Sequence, residues 1–148
     1  MGELTDAQSK LGDIDTMALL ARELLEQATT CKPDNAYVLA AGMAVYNLVL
    51  AGQMEVAVQL IAAADEVLQR IEAQDPRAVG ALAHGRAVYL RYVGDLVGEI
   101  ALDEQAAAAF ERAGDERNAC RARAAVADAY AYLGLYAEAE AIEREDGA

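Results

Sequence analysis

The chain has no tryptophan, one phenylalanine, two prolines, two cysteines and one histidine in 148 residues. So few prolines leave long stretches free to run as unbroken helix, because proline is the residue a helix interior tolerates least. Cys31 and Cys120 stand far apart with no CxxC pair. That spacing excludes a disulfide framework and a zinc site. Both thiols are expected to be reduced and at least partly buried in alanine-rich helix, where Cys behaves as a small hydrophobe. His84, the only histidine, has no second ligand at ligand spacing, so no metal site is expected. GxSxG, phosphate-loop, HExxH and local Cys–His signatures are all missing. No enzymatic activity and no cofactor are expected.

Basic charge is scarce as well. Twelve Lys and Arg face 25 Asp and Glu, for a formal net charge of −13. Such a chain repels nucleic-acid phosphate and anionic lipid, so neither is an expected partner. The acids are spread along the chain and read as solvated outer faces of helices. Arg112, Arg117, Arg121 and Arg123 form the only basic cluster, interleaved with Glu111, Asp115 and Glu116. That mixture predicts surface ion pairs, each worth little. No basic stretch followed by an apolar core opens the chain, so a cytoplasmic location is expected. The apolar run at 36–51 holds Asn47 and is shorter than the roughly 20 residues a membrane helix needs. It predicts a helix packed on several sides.

What the sequence does have is alanine and a rhythm of glycines. Hydrophobic residues make up 55% of the chain, and alanine, the best helix former, is prominent among them. Gly12, Gly52, Gly94 and Gly134 are spaced 40 (12 to 52), 42 (52 to 94) and 40 (94 to 134) residues apart. A constant period of that size marks stacked supersecondary units. The residue two after each glycine is apolar: Ile14, Met54, Leu96 and Tyr136. The residue eight after is Leu20, Leu60, Leu102 or Ile142.

The glycines predict antiparallel helix pairs, each closed by a tight turn that needs a left-handed backbone. The expected helices are 3–10 with 14–30, 34–50 with 54–73, 76–92 with 96–112, and 115–132 with 136–145. The units thus run 1–30, 34–73, 76–112 and 115–148 in one repeat domain. Asp34 or Asn35, Asp75 and Asp115 are expected N-caps, and Pro76 suits the first helical position. Apolar residues recur at helical spacing in 54–68 (Met54, Ala57, Val58, Ile61, Ala64, Leu68) and in 126–136 (Val126, Ala129, Tyr130, Leu133, Tyr136). No single pair has enough apolar surface for a core of its own, so stacked pairs are expected to share one. A compact helix bundle is the rival architecture; it would bring the first and last pairs together.

The fourth unit resembles the core of a tetratricopeptide repeat. Tyr130, Gly134, Tyr136 and Ala139 stand where that pattern places a Tyr, the Gly, an aromatic and an Ala. Leu48, Gly52, Met54 and Ala57 follow with aliphatic substitutions. Gly12, Ile14 and Met17 match more loosely. In the third unit Leu90, Gly94 and Leu96 match, but Glu99 replaces the Ala, and Ile100 is the candidate to take over its contact. The 40–42-residue period is similar to the longer repeats of large bacterial regulators, such as the maltose-activator type and Ser/Thr kinase–ATPase fusions. The resemblance covers most of the chain, the last unit most specifically. It implies an all-α, right-handed α-solenoid whose concave face, made by the first helix of each pair, binds a peptide, a protein or a regulatory ligand.

The glycines also index that face. The ten-before and six-before positions, which carry basic and Asn side chains in the carboxylate-clamp subclass, hold Gly42 and Tyr46, His84 and Val88, Ala124 and Asp128. A carboxylate clamp is therefore not expected. The candidate groove residues are Tyr46, His84, Arg91, Tyr92, Asp128 and Tyr132. Glu99 and Asp128 are the acids whose setting is most apt to raise a pKa. The expected function is a non-catalytic interaction scaffold or sensor segment of a bacterial signalling protein, binding a protein or peptide, with self-association through open repeat ends as a further contact. A small-ligand-sensing domain with a pocket near His84, Arg91 and Tyr92 is the alternative.

Overall fold

The structure is a computed structural model that describes residues 2–30 and 32–147, with side chains described from residue 14 onward. Seven helices account for nearly all of the described residues: α1 (Gly2–Thr30), α2 (Asn35–Leu50), α3 (Met54–Gln69), α4 (Pro76–Val93), α5 (Leu96–Arg112), α6 (Glu116–Tyr132) and α7 (Tyr136–Gly147). No strand occurs among them. The fold is all-α.

Polar side chains fix where most helices begin. Asp34 accepts the Tyr37 backbone N–H at 2.7 Å, and Asp75 accepts that of Arg77 at 2.9 Å with Pro76 opening the helix. Asp95 and Asp115 accept from the N–H groups of Gly98 and Asn118 at 2.8 and 3.2 Å. Each capped donor is one that the helix itself leaves without a partner.

Glycines fix where several helices end. Gly52, Gly94 and Gly134 have φ of 76°, 88° and 77°, and Gly114 joins them at 69°. All four turns close in the same way. The residue after the glycine donates its N–H to the carbonyl four residues before the glycine: Gln53 to Leu48, Asp95 to Leu90, Asp115 to Phe110 and Leu135 to Tyr130, at 2.8–2.9 Å. This is the Schellman closure, and it needs the left-handed backbone that glycine adopts freely.

Gly12 departs from the expected pattern. It lies inside α1, which is one continuous helix instead of a short helix and its mate. A lone glycine in a helix costs only about 1 kcal/mol and does not by itself end one. Two other bounds differ by more than one residue: α3 stops at Gln69, four residues before the expected end, and α7 runs on to Gly147.

Each helix packs mainly on helices one or two places away in sequence. α1 lies against α2 and α3, α2 against α3 and α4, α4 against α5, α5 against α6, and α6 against α7. At the α2–α4 contact the two backbones come close together. A Cβ on Gly42 would stand 2.5 Å from the Ala81 carbonyl carbon, and one on Gly85 would stand 2.8 Å from the Gly42 oxygen. Only glycine fits at either place.

The core follows the chain in three parts. The largest joins α1 to α4 around Val38, Val45, Leu48, Leu60 and Leu82; a second gathers Ala106, Phe110, Ala119 and Ala122; a third holds Ile100, Val126 and Ala129. Ile100 thus faces α6. The eight-after column is unevenly used: Leu60 is buried, Leu102 and Ile142 are half-buried, and Leu20 is exposed. The run at 36–51 forms α2, which buries eight residues against α1, α3 and α4. No helix among the described residues is long and apolar enough to cross a membrane.

Candidate functional site

Three helices, α2, α4 and α6, contribute to one open cleft of about 610 Å³. Its walls carry Leu50, Tyr92 and Tyr132, each two residues before a turn glycine, together with Tyr46, Arg91 and Leu96. Leu50, Tyr92 and Tyr132 are 51%, 57% and 73% exposed. Equivalent positions on successive helices therefore converge on one surface. A second cavity of about 320 Å³ shares Tyr46 with the first and is lined by His84, Arg77, Arg121 and Phe110 among others.

Of the six groove candidates, Tyr46, Arg91, Tyr92 and Tyr132 line the first cleft, and Tyr46 and His84 line the second. Asp128 is exposed on α6 and lines neither, though its charge acts on Arg91 and Glu99. The Tyr46 ring stacks on the His84 ring, with centroids 5.4 Å apart and planes inclined by 21°. The Arg121 guanidinium sits 5.2 Å from the Tyr46 ring centre, a cation–π contact.

Beneath these residues lie two buried carboxylates that the sequence pattern does not single out as a pair. Glu99 and Asp103, one turn apart on α5, are fully buried. Asp103 Oδ1 is 2.6 Å from His84 Nδ1. Arg91 Nε donates to Glu99 Oε1 at 2.6 Å, Nη2 lies 2.5 Å from the same oxygen, and Nη2 also donates to the Ala125 carbonyl on α6 at 3.2 Å. The second oxygens, Glu99 Oε2 and Asp103 Oδ2, are buried without a hydrogen-bond partner among the described residues.

Burial pushes both carboxyl groups above the ordinary range, against the pull of their partners. For Glu99 the opposing force is the hydrogen bond and charge of Arg91; for Asp103 it is the hydrogen bond and charge of His84. Burial works against the Arg91 charge, but the Glu99 bond and the acids around it outweigh burial and raise its pKa. Glu99 was legible as a departure from the repeat pattern. Asp103 was not: it sits in an ordinary ALDEQ stretch, and only its contact with α4 sets it apart.

The arginine cluster separates into different uses. Arg123 pairs with Glu111 and Asp146, Arg121 covers Tyr46, and Arg112 and Arg117 are exposed. Cys120 is exposed, contrary to expectation, because α6 buries Ala119, Ala122 and Val126 and turns the position after Ala119 outward. Cys31 lies outside the described residues. No group of three or more His, Cys, Asp or Glu is placed to hold a metal among the described residues.

No protein-family model matches the chain, and no curated protein or solved structure does either.

Proposed function

We propose that the chain is a non-catalytic, tetratricopeptide-like helical-repeat module, an open stack of helix pairs that binds a polypeptide across α2, α4 and α6. The observation that carries this reading is the convergence of Leu50, Tyr92 and Tyr132, from equivalent positions on those helices, on a single cleft. Exposed tyrosines present a large, rigid contact surface with a polar tip, and Tyr and Arg dominate binding hot spots. Arg91, held from below by Glu99, supplies a cation at the cleft wall. The packing of each helix mainly on helices one or two places away in sequence supports an open stack over a closed bundle. A cytoplasmic scaffold or sensor segment of a bacterial regulator is the setting we infer.

Peptide-library selection against the purified chain tests the proposal. Selected peptides bind saturably, and Tyr92→Ala with Tyr132→Ala weakens them at least about tenfold, the size of a single hot-spot loss. Both side chains are largely exposed, so melting temperature stays near the parent value. Peptides that bind the double variant as tightly as the parent would sink the reading. Small-angle scattering checks the architecture: an elongated particle is expected, and a compact sphere refutes the open stack.

A further inference from the structure

The second cavity differs in chemistry from the aromatic cleft, and the two share only Tyr46 among their lining residues. Its polar lining is Arg77, His84, Arg121, Asn47, Asn118 and the Tyr46 ring, and none of the described residues that line it is acidic. That is a conspicuous composition in a chain of net charge −13. Leu39, Met43 and Phe110 supply an apolar wall.

The polar groups around it are not equivalent. Arg77 lies 3.6 Å from Asp115, so its charge is already partly balanced. His84 has one ring nitrogen engaged by buried Asp103, which leaves Nε2 for a ligand. Arg121 has no carboxylate partner among the described residues; its guanidinium rests over Tyr46. The chain Arg121–Tyr46–His84–Asp103 takes one side chain from each of α6, α2, α4 and α5. The ring stack and the buried carboxylate hold the histidine in place, and Arg121, the lining arginine without a carboxylate partner among the described residues, lies over that stack.

We propose that this cavity binds a small monoanionic carboxylic acid with an apolar body. The carboxylate pairs with Arg121, and the apolar body lies against Leu39, Met43 and Phe110. Arginine suits the task because its planar fork matches a carboxylate in two parallel bonds. A volume of about 320 Å³ fits a ligand of roughly ten heavy atoms and lies at the small end of ligand pockets. The site is separate from the aromatic cleft, so the two readings stand or fall independently.

The test uses the full chain and phenylacetate as probe, with phenylacetamide and acetate as controls, followed by NMR titration of backbone amides and the His84 ring. Phenylacetate is expected to saturate in the millimolar range and to move the His84 and Arg121 signals. The neutral amide, lacking the charge, and acetate, lacking the apolar body, are each expected to bind at least about tenfold more weakly. Arg121→Met, at an exposed position, should weaken phenylacetate roughly tenfold with melting temperature unchanged. Tyr92→Ala should leave it unaffected. No saturable binding by about 10 mM overturns the proposal. So does equal binding of the amide or of acetate, or undiminished binding by Arg121→Met. Loss of peptide binding in Tyr92→Ala with intact phenylacetate binding tells the two sites apart.

Discussion

Removing Arg91 gives the sharpest test of the buried Arg91–Glu99 pair. In Arg91→Met the Glu99 carboxylate, whose side chain is 1% exposed, loses both hydrogen bonds to its one partner. Its other oxygen already has none. Breaking one side of a buried pair in this way costs about 3–5 kcal/mol. For a domain of this size that corresponds to a fall of roughly 6–20 °C in melting temperature. The reciprocal variant should suffer less. Arg91 is 30% exposed, so in Glu99→Gln its guanidinium keeps access to water and its bond to the Ala125 carbonyl. Replacing both partners, as in Arg91→Met with Glu99→Leu, removes the stranded charge and should return stability to within about 1 kcal/mol of the parent.

Acidification separates this account from simple loss of packing. The Glu99 pKa is raised in the folded protein, so the folded state holds that proton more tightly than the unfolded chain does. Stability from this group therefore grows as pH falls through the raised folded value, and it is lost as pH rises. Without Arg91 the carboxyl group is pushed further in the same direction. The deficit of Arg91→Met relative to the parent should shrink between neutrality and about pH 5. Urea unfolding followed by circular dichroism at both pH values measures it. A deficit below about 1 kcal/mol at neutral pH, or a double variant no more stable than Arg91→Met, refutes the reasoning.

Two backbone predictions follow from the glycines. Gly42→Ala drives a Cβ to 2.5 Å from the Ala81 backbone, which cannot swing aside, so the α2–α4 contact must open. The expected loss is about 3 kcal/mol or more in chemical unfolding; Gly80→Ala, which meets the movable Phe110 ring at 3.0 Å, should cost distinctly less. Gly94 has open space around it and φ of 88°, so substitution there is penalised by backbone alone. Gly94→Val is expected to lose at least about 1 kcal/mol and Gly94→Asn less, because Asn visits the left-handed region; equal melting temperatures for the two would count against it.

Local chemistry made much of the helical layout readable. New helices begin two residues after Gly52, Gly94 and Gly134 because a left-handed glycine is a local signal, joined by polar Gln53 and capping Asp95 at the first two turns. Gly114 lies in the RAGDER break, where the sequence ends the third unit and Asp115 caps the fourth, and it stands off the 40-residue register because it links one pair to the next. The turns at Gly94, Gly114 and Gly134 in fact recur every 20 residues. Gly12 misled for the opposite reason: a position in register with a turn is not a turn unless the flanking sequence also stops the helix. Side-chain pairing was the least legible level. His84 and Asp103 are 19 residues apart, and nothing local distinguishes Asp103 from the exposed Glu104 beside it. Gly42 and Gly85 were likewise silent until α2 and α4 were seen to touch.

Glu99 is where the two levels meet. The repeat pattern has a small residue there, and its replacement by an acid raised doubt about how α4 and α5 pack. The interface instead carries two polar rungs, His84 with Asp103 and Arg91 with Glu99, whose acids lie one helical turn apart. Stability alone does not account for them, since apolar residues of similar volume commonly serve a core as well or better. Arg91 and His84 reach the surface that α2, α4 and α6 share, one at each cavity, while their carboxyl partners are sealed below. A cation anchored from beneath loses less freedom when a partner binds, which is where such an arrangement gains affinity. The Arg91→Met, Glu99→Leu protein separates the two roles. It should unfold like the parent and yet bind cleft-selected peptides more weakly, and parental affinity in a fully folded double variant would leave the buried pair with no part in binding.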